Sequence, residues 1–372
     1  FLSVNLSIKY GKKFSLNVHT SFMSRALELA RKGRCRVSPN PMVGCVIVKD
    51  GEIIGEGYHE QFGAPHAEVM AIKNVRLNPA DSIAYVNLEP CCIKGKTPPC
   101  TNVFKESGIS EVFIGMLDPN PEVNGKGVKE LEKNGIITHV GIMEKESNRL
   151  NQGFSKWITK KLPFVIAKVA QTHDGYMGVN SETSIWITGD VSKRHTHILR
   201  SEVDAILIGR QTALIDNPSL TVRKVKGVNP RRVILDTNRK LPLSLKIFND
   251  NKAETLVLCS EDGFNKTKTH FCTYLPVKEK NDSLSPYHIL KALAEEGITS
   301  ILIEGGQAVL HSFISEDLID QIYIYTSSEK LEGADLINPL ELSSAWSVIN
   351  EESLGRDTLI IAEKGVKCLQ EL

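Results

Sequence analysis

Residues 82–100 read SIAYVNLEPCCIKGKTPPC. A strand-like run, Ser82–Leu88, ends in Glu89-Pro90-Cys91, and a second cysteine, Cys100, follows Pro98-Pro99. Upstream, Pro65-His66-Ala67-Glu68 opens a helical pattern that extends to Asn74, with the proline at its entrance. One histidine and two cysteines can supply three tetrahedral zinc ligands and leave the fourth position for water, as a catalytic zinc requires. Zinc lowers the pKa of bound water toward about 7. Glu68, two residues beyond His66 on another side of the helix, is placed to take that water's proton and pass it to a leaving amine. A purely structural zinc would need a fourth ligand. Cys92 is the nearby candidate, and adjacent cysteines rarely chelate one ion.

The surrounding pattern is layered α/β. Residues 43–58 read as a hairpin turning at Asp50-Gly51, and Ser24–Lys32 as a helix. Thr101–Ser107 and Lys126–Asn134 alternate with a strand at Glu111–Met116, and Gly135 closes the last helix. Met23 looks like a natural start, so residues 1–22 are expected to be a leader or an appended remnant. The polar stretch Glu144–Lys161 reads as a connection. The rhythm then restarts with strands at Phe164–Ala170, Ala205–Gly209, Arg232–Leu235, Thr255–Cys259, Ser300–Ile303, Gln321–Tyr325 and Thr358–Ala362. Helices are expected at Asp190–Arg200, Tyr287–Glu296 and Gln307–Ile314. The expected domains are 23–145 and 164–368, joined by 146–163.

Composition narrows the function classes. The 372 residues suit two domains. Forty-five Lys+Arg against 44 Asp+Glu leave no global field to draw the chain to nucleic acid or membrane. No apolar run approaches the roughly 20 residues of a membrane helix. Eight cysteines in so long a chain are no disulfide framework, and a reducing, cytoplasmic location is expected. The second half has no G-x-G-x-x-G after a strand, which argues against a Rossmann dinucleotide site. It has Ile301-Leu302-Ile303-Glu304-Gly305-Gly306, a strand entering a glycine pair at a helix start. That pattern suits phosphate approach and equally an ordinary tight turn.

Taken together, Asn40-Pro41-x-Val43-Gly44, HAE, and EPC-x8-C with GKTPPC resemble the bifunctional riboflavin-biosynthesis deaminase/reductases of bacteria and plants. The P-C-x-x-C of other nucleobase deaminases is replaced by the longer spacing. The resemblance runs from about Met23 to about Ala362. It implies a cytidine-deaminase-like three-layer domain followed by a dihydrofolate-reductase-like α/β domain, with Zn2+ and NADPH as cofactors. It makes His66, Cys91 and Cys100 the zinc ligands and Glu68 the proton shuttle. Asn40 would meet the pyrimidine or ribose, and Lys96 the substrate phosphate. In the second half Asp174-Gly175, Ser184-x-Trp186-Ile187-Thr188, Arg200, Thr212, Asp216-x-Pro218-x-Leu220-Thr221-x-Arg223 and EGG match in order. Ala170, Trp186, Thr212, Asp216 and Gly306 would then bind NADPH. Ser184, Arg200, Leu220, Arg223 and Glu304 would hold the substrate.

Two places depart from the family pattern. Ile93 stands where a histidine is usual, and Thr172-His173 precedes Asp174-Gly175 in place of Ser-Leu. His195 and His197 read as exposed helix residues. The implied partner is a phosphorylated pyrimidine handled by a homo-oligomer, without nucleic acid or membrane. Two competing readings are a nucleoside or tRNA deaminase fused to an unrelated domain, and a zinc-stabilised ligand-binding protein with decayed sites. The first would want a basic groove and C-x-x-C; Ile93 and Thr172-His173 are the only support for the second.

Overall fold

The computed structural model describes residues 16–93, 98–179, 186–262 and 265–365, so Lys96 and Ser184 lie outside the described residues. The chain divides into two compact units, Phe1–Thr159 and Lys160–Leu372.

In the first unit the elements are α1 (Leu16–Arg31), β1 (Gly44–Lys49), β2 (Glu52–Tyr58), α2 (Ala67–Lys73), β3 (Ile83–Leu88), α3 (Cys100–Glu106), β4 (Glu111–Met116), α4 (Lys126–Lys133), β5 (Ile137–Val140), α5 (Glu144–Leu150) and α6 (Gln152–Lys160). One five-stranded sheet runs in the order β2-β1-β3-β4-β5. β1 is antiparallel to β2 and β3, while β3, β4 and β5 are parallel. The hairpin turns where expected, with both Asp50 (φ 50) and Gly51 (φ 86) left-handed. That is the backbone a two-residue hairpin turn demands.

Alternation along the strands sends side chains to two faces. Cys45, Ile47, Ala84 and Val86 meet Ala67 and Ala71 of α2, Phe104 of α3 and Leu131 of α4. Val46, Val48, Tyr85 and Phe113 meet Met23, Leu27 and Leu29 of α1 and Leu150 of α5. Helices on both faces make three layers, as expected. Each fully buried Leu or Met there contributes roughly 1.5–3 kcal/mol of transfer free energy.

Two boundaries differ from the sequence reading. Residues 16–22, which the sequence reading set apart from the first domain, are part of α1. His19 explains why: it is buried, stacks on Phe113 at 4.2 Å, and its Nδ1 lies 2.8 Å from the Tyr85 hydroxyl. The supposed polar connection is α5 and α6. Asn151 between them clamps Met42 at two points, accepting its N–H at 2.8 Å and donating to its carbonyl at 3.0 Å. Side-chain amides imitating a strand partner are invisible to a hydropathy pattern.

The second unit is a ten-stranded sheet in the order Thr267–Lys268, Thr273–Val277, Thr255–Ser260, Arg231–Leu235, Ala205–Gly209, Ser300–Ile303, β6 (Phe164–Gln171), Gln321–Ser327, Asp357–Lys364 and Trp346–Leu354. The strands from Thr273–Val277 to Gln321–Ser327 are parallel, and antiparallel strands finish both edges. Helices cover both faces. Ile289, Leu290, Leu310 and Phe313 pack on Val165, Ala167 and Val169; Leu199 of α7 (Asp190–Arg200) packs on the opposite face with Ile166 and Ile206. Thr273–Val277 and Trp346–Leu354 were not legible as strands. Pro276 interrupts the first, and the second is exposed along most of its length.

Candidate active sites

The first site is assembled by α2, β3 and α3. Helix α2 lies backbone-to-backbone on β2 because Gly57 carries no side chain: a Cβ there would stand 2.3 Å from the Ala71 amide nitrogen. That approach seats His66 at the N-cap of α2 and Glu68 in its first turn. β3 is followed by Glu89, whose buried carboxylate accepts the N–H groups of Asp118, Gly125 and Val128 at 2.9–3.2 Å. The following Pro90-Cys91 is thereby anchored. Cys100 opens α3, and its own N–H points at Cys91 Sγ at 3.4 Å.

His66 Nδ1 stands 3.2 Å from Cys100 Sγ and 3.6 Å from Cys91 Sγ, and all three donors fall within 4.8 Å of one another. Tetrahedral zinc with its usual Zn–S and Zn–N bonds needs ligand separations of about 3.5–3.8 Å. The donor set of one imidazole and two sulfurs therefore fits zinc in geometry and in chemistry. Cys92 is not in the cluster. The neighbouring Cys100, and next His66, hold the Cys91 thiol well below its usual range against the effect of burial. Glu68 is 3% exposed. Burial first, then the charge of Cys91, push its carboxyl up to about 7.

His66, Glu68 and Cys91 line a cavity of about 570 Å³ together with Asn40, Asp118, Asn120 and an apolar wall of Phe62, Ile93, Phe154, Trp157 and Ile158. Asn40 is held by His59. The Pro65 carbonyl can only accept, so His59 Nδ1–H donates to it at 3.0 Å. His59 Nε2 then accepts the Asn40 amide at 3.0 Å, which leaves Asn40 Oδ1 for a ligand. His59, Asp118 and the α6 wall were missed in the sequence. Only His59 had a signal, a lone histidine where the hairpin ends. Ile93, the departure from the family pattern, is part of this lining.

The second site lies over the parallel strands' carboxyl ends in the reductase-like unit. A cavity of about 610 Å³ is lined by Ala170, Trp186, Arg200, Thr212, Asp216, Leu220, Arg223 and Glu304, all expected there. Gly306 adjoins the set: a Cβ on it would stand 3.6 Å from Thr212 Oγ1, and it caps the helix Gln307–Ser315. Among the described residues, the lining holds six cations (Lys168, Lys193, Arg200, Arg223, Lys224, Lys246) against three carboxylates (Asp190, Asp216, Glu304). A nearly neutral chain thus concentrates positive charge where phosphates would sit, which fits a phosphorylated dinucleotide beside a phosphorylated substrate. Trp186 is 70% exposed, its ring under Lys193 Nζ at 4.6 Å.

Arg200 and Glu304, each expected to hold substrate, pair with one another through two hydrogen bonds. Burial works against the Glu304 charge, yet Arg200 holds the carboxyl below its usual range. Lys168, missed earlier, is the one charged residue of the strand FVIAKVAQ, and burial pushes its pKa down. His197 and His195 are not the exposed residues expected. His197 is 5% exposed and lines the cavity, and His195 Nδ1 lies 2.7 Å from the Tyr325 hydroxyl. The 172–175 turn survives its altered residues, with Gly175 N–H bonded to the Thr172 carbonyl at 3.0 Å and Thr172 Oγ1 on Asp174 at 2.6 Å.

Comparison with known proteins agrees with this division. Residues 16–116 match the cytidine and deoxycytidylate deaminase zinc-binding region, and residues 163–343 match the RibD C-terminal domain. The chain is 39% identical over 355 residues to the riboflavin biosynthesis protein RibD of Aquifex aeolicus, covering 93% of this chain and 99% of that protein. It is 35% identical to RibD of Escherichia coli, covering 84% and 88%. The crystal structure of a diaminohydroxyphosphoribosylaminopyrimidine deaminase/5-amino-6-(5-phosphoribosylamino)uracil reductase from Thermotoga maritima superposes with a TM-score of 0.83 at 37% identity, over 94% of this chain and 99% of that one. Two metal-compatible sulfurs and a histidine beside a buried glutamate in one unit, and a cationic cavity in the other, are what such a pair of activities requires. The chain belongs to the RibD family: it is a bifunctional enzyme of riboflavin biosynthesis, a zinc-dependent deaminase joined to an NADPH-dependent reductase.

Proposed function

We propose that the two units act in turn on one phosphorylated pyrimidine. The first replaces the ring 2-amino group of 2,5-diamino-6-ribosylamino-4(3H)-pyrimidinone 5′-phosphate by oxygen and releases ammonia. The second reduces the ribosyl group to a ribityl chain, giving 5-amino-6-ribitylamino-uracil 5′-phosphate.

His66, Cys91 and Cys100 hold the zinc, which supplies a Lewis acid that makes water a nucleophile at neutral pH. Glu68 takes the proton from the attacking water and returns it to the departing amine. Its burial supports that shuttle, because a carboxyl that is easily protonated serves as acid as well as base. Asn40, oriented by His59, accepts a hydrogen bond from the substrate, and Lys96 meets its phosphate.

In the reductase unit NADPH, when bound, would supply the hydride, and water the proton, for opening the ribosyl ring to the ribityl chain. Ala170, Trp186, Thr212, Asp216 and Gly306 hold the cofactor. Ser184, Leu220 and Arg223 hold the substrate, and the Arg200–Glu304 pair braces the wall against which it lies. The protein's contribution is alignment of donor and acceptor carbon. A cytoplasmic homo-oligomer completes the reading. It is supported by seven described cysteines without a disulfide and by the long exposed edge strand Trp346–Leu354.

The observation that carries the reading is the His66–Cys91–Cys100 cluster beside buried Glu68. Incubating the enzyme with the diaminopyrimidinone phosphate, with and without NADPH, and following ammonia and cofactor oxidation separately tests it. Ammonia should appear without NADPH, and NADPH oxidation should require prior deamination.

A further inference from the structure

His197 sits near the end of α7, almost fully buried, in the lining of the reductase cavity. Its Nδ1 accepts the backbone N–H of Arg223 at 3.2 Å. A backbone amide can only donate, so Nδ1 bears the lone pair and the neutral ring carries its proton on Nε2. The ring nitrogen left for the cavity is therefore a donor.

The groups around it make that donor useful. Arg200 on α7 is already matched by Glu304, which follows the strand Ser300–Ile303, and Lys168 on β6 faces the same carboxylate. Lys224 is held by Asp190 at 3.0 Å. Arg223 has a weaker commitment, one guanidinium nitrogen 3.3 Å from Thr221 Oγ1. An anion entering this part of the cavity thus meets Arg223 as its cation, with the His197 ring attached to the same backbone.

The geometry points to His197 as a further anion-holding residue of the reductase: through Nδ1 it fixes the backbone carrying Arg223, and through Nε2–H it donates to the phosphate that Arg223 receives. This rests on the assignment of Arg223 to the substrate phosphate. Burial first, then Arg200 and Arg223, push the free ring's pKa down to about 4. A second proton on the ring would have to sit on Nδ1 and break its bond with the Arg223 N–H. The ring therefore holds the anion as a neutral donor, and its contribution is independent of pH well above 4.

Sulfate tests this, because it stays a dianion throughout the range. Its inhibition of the reductase, competitive with the phosphorylated pyrimidine at saturating NADPH, is measured on the full chain at pH 7.5 and 5.5. Ammonia release by the same preparation reports that the chain is folded. The wild type should be inhibited about equally at pH 7.5 and 5.5, as a neutral donor requires. His197→Asn keeps an acceptor for the Arg223 N–H but loses the Nε2–H donor, and should show roughly tenfold weaker inhibition at both pH values. His197→Leu loses both bonds and should also raise KM more than it lowers kcat. Wild-type inhibition in His197→Asn, or a wild type inhibited far more strongly at pH 5.5, overturns the role given to His197. Unchanged inhibition in Arg223→Ala overturns instead the phosphate assignment on which it rests.

Discussion

Arg200 and Glu304, from a helix and a strand end far apart in the chain, meet in a two-point ion pair, Nε to Oε1 at 2.7 Å and Nη2 to Oε2 at 2.6 Å. Their side chains are 12% and 9% exposed. Removing one partner of such a pair leaves a buried charge without compensation, at a cost of about 3–5 kcal/mol. Arg200→Ala should lower the unfolding free energy of the reductase unit, read from urea titration, by an amount in that range, and Arg200→Lys, which keeps the charge but loses the fork, by less. An unchanged midpoint for Arg200→Ala would mean that the pair is not formed in solution.

Glu68→Gln should retain one zinc per chain and lose at least about 10²-fold in ammonia release, the lower range for general acid–base catalysis. Metal content by atomic absorption and ammonia by a coupled assay separate the two effects. Reduction of the already deaminated substrate should proceed at the normal rate. Its loss with zinc intact would indicate a single composite active site.

Cys92→Ser should bind zinc fully, because Cys92 is outside the donor cluster although it adjoins Cys91. Cys91→Ser and Cys100→Ser should each lose the metal under dialysis against a chelator. Zinc loss from Cys92→Ser would overturn the ligand assignment.

Arg223→Ala should weaken the reductase step, mainly through KM. The lost charge-assisted contact is worth about 1.5–3 kcal/mol, or roughly 10- to 150-fold. Ammonia release should stay near normal, since each unit has its own core and its own cavity.

Acid should destabilise the reductase unit through His197. Its folded pKa, about 4, lies below the ordinary value of 6.5. Above about pH 6.5 the ring is neutral in both states and this stability is intact. As pH falls from about 6.5 toward 4, the unfolded chain takes a proton that the folded chain refuses, so stability is lost. Urea titrations at several pH values in that window should show a smaller decline for His197→Asn than for the wild type.

The sequence by itself determined the chemistry of the first site. HAE and EPC-x8-C are local patterns, and His66, Glu68, Cys91 and Cys100 each stand at the end or beginning of an element that hydropathy and turn residues mark. The three-layer arrangement was legible for the same reason, since strand alternation assigns side chains to faces. Only the tertiary structure decided which polar groups answer one another. Asn151 on Met42, His59 on Asn40, Arg200 on Glu304 and His197 on the Arg223 backbone each join residues with no periodic relation. It also placed residues 16–22 in α1 and most of the apparent linker in α5 and α6. Hydrogen bonds saturate after one or two partners, and burial decides how much each is worth. A chain announces its donors and acceptors, but only folding brings each one to the partner that gives it a role.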